Sequence, residues 1–316
     1  MGGPGAVFWM WFIAIMGAAS AFVESTLGQV YKQEIDGEYR GGPAYYIEKG
    51  LGIKWYALLF AFITIISCGL LLPGVQSNSI ASAMNNAFNL PTSELAAIPI
   101  NYMGILVVLL LALIIFGGVK RLGKASEIIV PFMAGIYILM ALTIIGMNFE
   151  KIPEVLELIL SSAFSMNATF GGIMGSAIAW GIKRGIYSNE AGQGTAPHAA
   201  AASEVKHPAE QGLVQAFSVY IDTLFVCTAT AFMILFTQQY NVVNEENNQM
   251  IVEQIKGVDY TGFTQAAVAH HFPSIGNEFV AIALFFFAFT TIMAYYYYAE
   301  TNIAYIIKDK RKRNFY

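Results

Sequence analysis

The sequence predicts an all-α membrane protein of about seven spanning helices, and three observations carry that reading. Of its 316 residues, 56% are hydrophobic and only 12% charged, where a soluble domain carries roughly 25% charged residues. Apolar runs recur from one end to the other, each near the length of about 20 residues that a helix needs to cross a bilayer with its backbone satisfied internally. Basic residues then fall almost entirely on one side of the thread that these runs define.

Apolar runs between polar breaks place spans near 5–30, 54–87, 100–117, 127–147, 165–183, 211–237 and 277–306, in a single transmembrane domain covering 1–316. The first follows Met1-Gly2-Gly3-Pro4, a turn without the basic flank of a cleavable signal peptide. The second is long and carries Pro73-Gly74, which predicts a kink or strong tilt. The third and fourth frame Lys120, Arg121 and Lys124. The fifth is rich in glycine, the sixth holds Asp222, and the last carries Thr290, Thr291 and an aromatic run from Tyr295 to Tyr298 that suits packing or an interfacial belt.

With the first span starting outside, the inner loops hold Lys32, Arg40, Lys49 and Lys54, then Lys120, Arg121 and Lys124, then Lys183, Arg184 and Lys206, and finally Lys308, Lys310, Arg311, Lys312 and Arg313. The outer loops hold Lys151 and Lys256. Fifteen of the 17 basic residues thus lie on one side, which places the C-terminus in the cytoplasm of a multi-pass plasma-membrane protein. An outside start without a signal sequence predicts a preceding helix that is not in the chain; the competing reading is a seven-helix protein with its amino terminus outside.

Composition also narrows the function. A net charge of −4 makes nucleic acid a poor partner. Cys68 and Cys227 sit inside apolar runs and pack as small hydrophobes rather than as a disulfide or metal site. His270 and His271 have no third ligand at useful spacing, so no metal site is expected there. No nucleophile or base can be named, and neither an enzyme nor a cofactor is expected.

Polar residues inside the spans are the candidates for chemistry. Thr169, Phe170, Gly171, Gly172 and Ser176 in the fifth span suit an unwound stretch at membrane depth, whose free amides and carbonyls can bind a carboxylate and small cations. Small-residue helix packing explains the same glycines equally well. Gln76, Ser77, Asn78 and Ser79 form a run too polar for a lipid-facing surface. Asp222, mid-helix, costs about 2.5–3.5 kcal/mol on insertion scales and needs a partner, water or a proton. It is either a coupling residue or a structural one bonded to neighbouring hydroxyls. Thr290 and Thr291 offer adjacent oxygens to a hard cation, unless they bond their own helix.

The run Gly181-Ile182-Lys183-Arg184-Gly185-Ile186-Tyr187-Ser188-Asn189-Glu190-Ala191-Gly192-Gln193-Gly194-Thr195-Ala196-Pro197 resembles the alanine or glycine:cation symporter family of sodium-coupled amino acid carriers. Gly41-Gly42-Pro43-Ala44-Tyr45-Tyr46-Ile47, Gln76-Ser77-Asn78-Ser79-Ile80, Ile221-Asp222-Thr223 and Phe287-Ala288-Phe289-Thr290-Thr291-Ile292 agree, and the resemblance extends over the chain. It implies a leucine-transporter-like bundle of two inverted five-helix repeats, with the spans here matching the second to eighth helices. By that resemblance Gln76, Thr169, Phe170, Gly171 and Gly172 line the amino acid pocket, and Thr290 and Thr291 help to hold sodium. Asn78, Ser176 and Asp222 are candidates for structural or coupling roles.

The function so implied is sodium-coupled symport of alanine or glycine across the plasma membrane by alternating access. Its partners are the amino acid, the sodium ion and the lipid bilayer. On this plan the chain is a fragment truncated at both ends. Alone it is expected to transport little unless a separate polypeptide supplies the missing helices. A seven-helix receptor or sensor is the rival, and it gives no reason for the Gly171-Gly172 break. An intramembrane enzyme would need a second acid facing Asp222.

Overall fold

The computed structural model describes residues 2–90, 93–95, 98–100, 102–115, 118–164, 173–244, 250–258 and 261–308. Long helices dominate: α1 (Gly5–Val30), α3 (Lys54–Ile66), α4 (Leu72–Phe88), α5 (Tyr102–Ile115), α6 (Gly118–Met147), α7 (Ile152–Ala163), α8 (Met174–Asn189), α10 (Pro208–Tyr220), α11 (Thr228–Thr237) and α13 (Gly276–Ile306). Shorter helices are α2 (Pro43–Tyr46), α9 (Ala196–Ala202) and α12 (Gly262–His271). Among the described residues there are also three two-stranded antiparallel hairpins: β1 with β2 (Gln33–Ile35, Glu38–Arg40), β3 with β4 (Ser93–Leu95, Ile98–Ile100) and β5 with β6 (Asn241–Val243, Met250–Glu253).

Among the described residues, five continuous helical stretches are long and apolar enough to cross a membrane: Gly5–Val30, Lys54–Phe88, Arg121–Met147, Pro208–Thr237 and Gly276–Ile306. Two of them incorporate π turns. Ser67–Leu71 widens the helix just before Pro73, and Ile221–Cys227 does so around Asp222. A proline cannot donate to the preceding turn, and the wide turn lets the helix run on past Pro73 instead of unwinding. Phe62, Leu70 and Leu139 are exposed on these stretches, as a lipid-facing surface requires.

The chain divides into two compact units. One comprises Met1–Leu71, Leu158–Thr228 and Ala294–Tyr316. Its axis is α1, which packs on α8, α9 and α10 through a face of small residues. Ala14, Ala18, Ala21, Ser25 and Gly28 recur at helical spacing and are buried. Close approach is built in: a Cβ on Gly181 would lie 2.6 Å from the carbonyl oxygen of Ala6, and one on Gly212 would lie 2.8 Å from that of Phe22. Where lipid tails are as apolar as leucine, contact of this kind holds helices together. The β1–β2 turn is Asp36-Gly37, both at positive φ (59° and 77°), as a tight hairpin demands.

The other unit comprises Leu72–Glu157 and Ala229–Met293. Polar side chains tie its elements. Tyr137 and Thr230 share a hydroxyl hydrogen bond at 2.7 Å. Asn148 meets Nε2 of His271 at 2.7 Å, and Gln265 donates to the carbonyl of Ala83 at 3.0 Å.

Candidate functional site

The signature run at residues 188–197 forms a tight turn after α8 whose form its glycines dictate. Glu190 ends the helix at φ 56°, its N–H bonded to Ile186 O at 2.9 Å. A left-handed glutamate costs roughly 1–2 kcal/mol, a strain more often seen where a side chain must be held in one place. Gly192 and Gly194 follow, both at φ 79°, so the turn alternates left-handed residues and points its amides one way. Both amides converge on one carboxylate of α1: Gly192 N donates to Glu24 Oε1 at 3.0 Å and Gly194 N to Glu24 Oε2 at 3.2 Å. This is an anion nest occupied by a side chain 168 residues away from Gly192. Between them the two amides satisfy both oxygens of a buried acid.

The same turn engages Asp222. Asn189 Nδ2 donates to Thr223 Oγ1 at 3.0 Å, and Thr223 donates onward to Asp222 Oδ2 at 3.1 Å. Cys227 Sγ lies 3.9 Å from that oxygen, and Ser188 Oγ lies 3.2 Å from Cys227 Sγ. Asn189 Oδ1 accepts from Ala191 N at 3.0 Å, which locks its amide the right way round. The π turn at Ile221–Cys227 places Asp222, Thr223 and Cys227 together, which straight α-geometry would not.

Glu190 itself is half-buried beside Thr195, Tyr295 and Asp222, and the loss of water around it pushes its carboxyl above the ordinary carboxylate range. Hydrogen bonds from Thr195 and Tyr295 pull it back, and the Asp222 charge raises it again. Thr195 is 7% exposed.

One step further, α9 carries His198, fully buried against the end of α13. Its Nδ1 bonds Thr195 O at 3.0 Å and its Nε2 accepts from Asn302 at 2.8 Å, so the ring is neutral with its proton on Nδ1. Burial pushes its pKa down to about 4. Arg40 on β2 forks onto both oxygens of Glu300, reaching Oε1 at 2.9 Å, and touches Glu38 at 3.2 Å. Tyr45 donates to Thr301 O at 3.1 Å.

The residues that the sequence singles out are distributed between the units. Asp222 and Ser176 belong to the α1 unit, while Gln76, Asn78, Thr290 and Thr291 belong to the other. Thr169, Phe170, Gly171 and Gly172 lie outside the described residues. Ser176 has a buried hydroxyl with no hydrogen-bond partner among the described residues. Gln76 is half-buried on α4, and Asn78 is exposed. Thr290 Oγ1 donates to Phe286 O at 3.0 Å and Phe287 O at 2.9 Å, and Thr291 Oγ1 donates to Phe287 O at 2.9 Å. Both hydroxyls therefore spend their protons on their own helix while their oxygens keep lone pairs to offer. Glu24 escapes a motif reading, although an acid within a 26-residue apolar helix carries the same signal that marks Asp222; Glu190 stands in the motif run without being singled out.

Comparison with known proteins agrees over the whole chain. The model of the sodium:alanine symporter family matches residues 1–316. YrbD of Bacillus subtilis (strain 168), named by inference as a sodium/proton-dependent alanine carrier, is 63% identical over 99% of the chain and 63% of its own length. The sodium/proton-dependent alanine carrier protein of Bacillus sp. (strain PS3) is 52% identical over 98% of the chain and 68% of its own length. The amino-acid carrier protein AlsT of B. subtilis (strain 168) is 44% identical over the full chain and 63% of its own length. The chain thus spans about two thirds of the length of these relatives.

Proposed function

This chain belongs to the sodium:alanine symporter family, and from that premise we propose that it serves cation-coupled uptake of alanine, with glycine as the alternative substrate. The observation that carries the reading is the agreement with two relatives named for sodium/proton-dependent alanine carriage over nearly every residue of the chain. The family is one of transporters, so neither an enzyme nor a receptor reading has support in it. In this reading Gln76, Thr169, Phe170, Gly171 and Gly172 line the amino acid pocket, and the tight approach of glycine backbone limits the side chain to hydrogen or methyl. Thr290 and Thr291 hold the sodium ion with the lone pairs that their helix bonds leave free. Asn78, Ser176 and Asp222 shape or couple the two sites.

Sodium entry supplies the work. Each charge moved across 100 mV is worth about 2.3 kcal/mol, enough for roughly fifty-fold accumulation. One helix bundle rocks against the other around the central site, in a bacterial plasma membrane with the C-terminus cytoplasmic. The test is uptake of labelled alanine by liposomes containing the gene product that carries this chain. An inward sodium gradient should drive uptake, a sodium ionophore should collapse it, and unlabelled glycine should compete. No uptake under any imposed sodium or proton gradient overturns the reading.

A further inference from the structure

Helix α12 ends on His271, whose imidazole is held to the end of α6 by the side chain of Asn148. Asn148, 8% exposed, uses one nitrogen for two contacts: Nδ2 donates to Ile144 O at 2.9 Å and lies 2.7 Å from His271 Nε2. The two contacts fix each other's chemistry. A carbonyl can only accept, so the amide turns its NH2 toward Ile144, and Nε2 of the histidine is left to accept the second N–H. The proton of the neutral ring then sits on Nδ1, a buried atom.

That arrangement has no place for a second ring proton. With Nε2 protonated, an N–H would face an N–H. Turning the Asn148 amide over offers the ring an oxygen but sets that oxygen against the Ile144 carbonyl, so a bond is lost either way. The titratable groups that face the ring oppose the proton as well. His270 lies edge-on to it, 5.3 Å between ring centroids, and Lys151, which donates to Phe236 O at 3.3 Å, brings a positive charge. Glu150, next to Lys151, is exposed. Helix α4, which also packs on α12, has no titratable side chain, and the acid of the adjoining first turn of α13 is Glu278. Loss of water lowers the His271 pKa, and the His270 and Lys151 charges lower it further, against the pull of the Ala267 backbone.

The middle of α12 is anchored independently of this ring. Gln265 is 2% exposed and donates to Ala83 O at 3.0 Å and to Asn277 O at 3.3 Å. Loss of the His271 contact therefore frees the last turn of the helix and leaves the rest in place. We propose that the Asn148–His271 bond is an acid-sensitive latch, tying the C-terminal turn of α12 to the end of α6 and letting it go when the ring takes a proton. A released ring titrates near the ordinary value of about 6.5 and the latched ring below it, so the latch is at full strength above about pH 6.5 and weakens as pH falls from there.

Hydrogen–deuterium exchange of the detergent-solubilised gene product that carries this chain reads the latch directly. Rates in peptides spanning residues 266–275 are divided by those of the same peptides unfolded, which removes the pH dependence of the exchange chemistry. Protection in the last turn of α12 should fall several-fold between about pH 7.5 and 5.5, with about tenfold the ceiling for one ordinary histidine over that interval. Peptides of α6 that contain Ile144 should hold theirs. His271→Gln accepts from Asn148 but cannot be protonated, so it should remove the fall, whereas His270→Gln should keep it. Asn148→Asp offers a carboxylate to the protonated ring and should reverse the trend, giving more protection in acid. Unchanged protection in the wild type, a fall that survives in His271→Gln, or a loss shared equally by α6 overturns the proposal. Alanine uptake does not enter the measurement, so failure of the transport reading leaves the latch standing.

Discussion

Asn302 donates its side-chain amide to Nε2 of His198 across 2.8 Å, and the contact fixes the imidazole in one neutral tautomer. Nδ1 is already committed to Thr195 O, and a Cβ placed on Gly42 would meet the ring at 2.6 Å. A second ring proton would have to point at the amide nitrogen of Asn302, which has none to accept it.

The first prediction follows from that ring. His198 is held near pKa 4 when folded and returns to about 6.5 when unfolded, so the unfolded chain binds the extra proton first. Stability is therefore complete above about pH 6.5 and is lost as pH falls from there toward 4, by about 3 kcal/mol in all. Thermal unfolding in detergent should show this acid slope, and His198→Gln, which keeps an amide partner for Asn302 and cannot be protonated, should flatten it.

Gly192 and Gly194 share a φ of 79° but not a neighbourhood. A Cβ on Gly192 would meet Ser20 at an ordinary 3.7 Å, whereas one on Gly194 would lie 2.9 Å from Pro43 Cγ and 3.0 Å from the Phe60 ring. Gly192→Ala should cost about 1 kcal/mol for left-handed backbone alone. Gly194→Ala should cost that plus about 1–3 kcal/mol of overpacking. The order of their unfolding temperatures checks the distinction, and equal losses would mean that Pro43 and Phe60 yield freely.

How far the sequence foretells these features depends on how local each one is. The long helices are legible because apolar length alone decides them, as in α1 and α13. The hairpin at Asp36-Gly37 is legible because both residues favour positive φ. What Pro73 does to its helix is only half legible: a disturbance is foreseeable, but its accommodation as a π turn at Ser67–Leu71 depends on packing. The Glu24 nest is the opposite case. Its acid and its glycines are 168 residues apart for one bond and 170 for the other, so no local pattern joins them. Thr290 and Thr291 stand between: their adjacency is visible in the sequence, whereas the direction of their hydroxyl protons requires the helix.

Arg40 is buried and forks onto Glu300. Replacing it with lysine keeps the charge but not the fork, and replacing it with glutamine strands Glu300 among tyrosines. Glu300 is partly exposed, so water softens the loss, and Arg40→Gln should cost about 2 kcal/mol. Arg40→Lys should fall between that variant and wild type. In a double-mutant cycle, adding Glu300→Gln to Arg40→Gln should recover part of the loss; strictly additive losses would show that the pair contributes nothing as a pair.

Thr290→Val tests the sodium site without disturbing its helix. Valine matches threonine in shape, and the carbonyls of Phe286 and Phe287 lose only a side-chain hydroxyl that donates to them at 3.0 and 2.9 Å. A hydroxyl returning its proton to its own helix adds little to stability, so the unfolding temperature should scarcely move. An oxygen lost from a hard-cation site is a different matter, because nothing in valine replaces the ligand. The sodium concentration for half-maximal alanine uptake should rise about tenfold, equivalent to ~1.4 kcal/mol, with uptake at saturating sodium much less affected. An unchanged sodium dependence in both Thr290→Val and Thr291→Val would remove the two threonines from the cation site and leave them as helix-bonded hydroxyls.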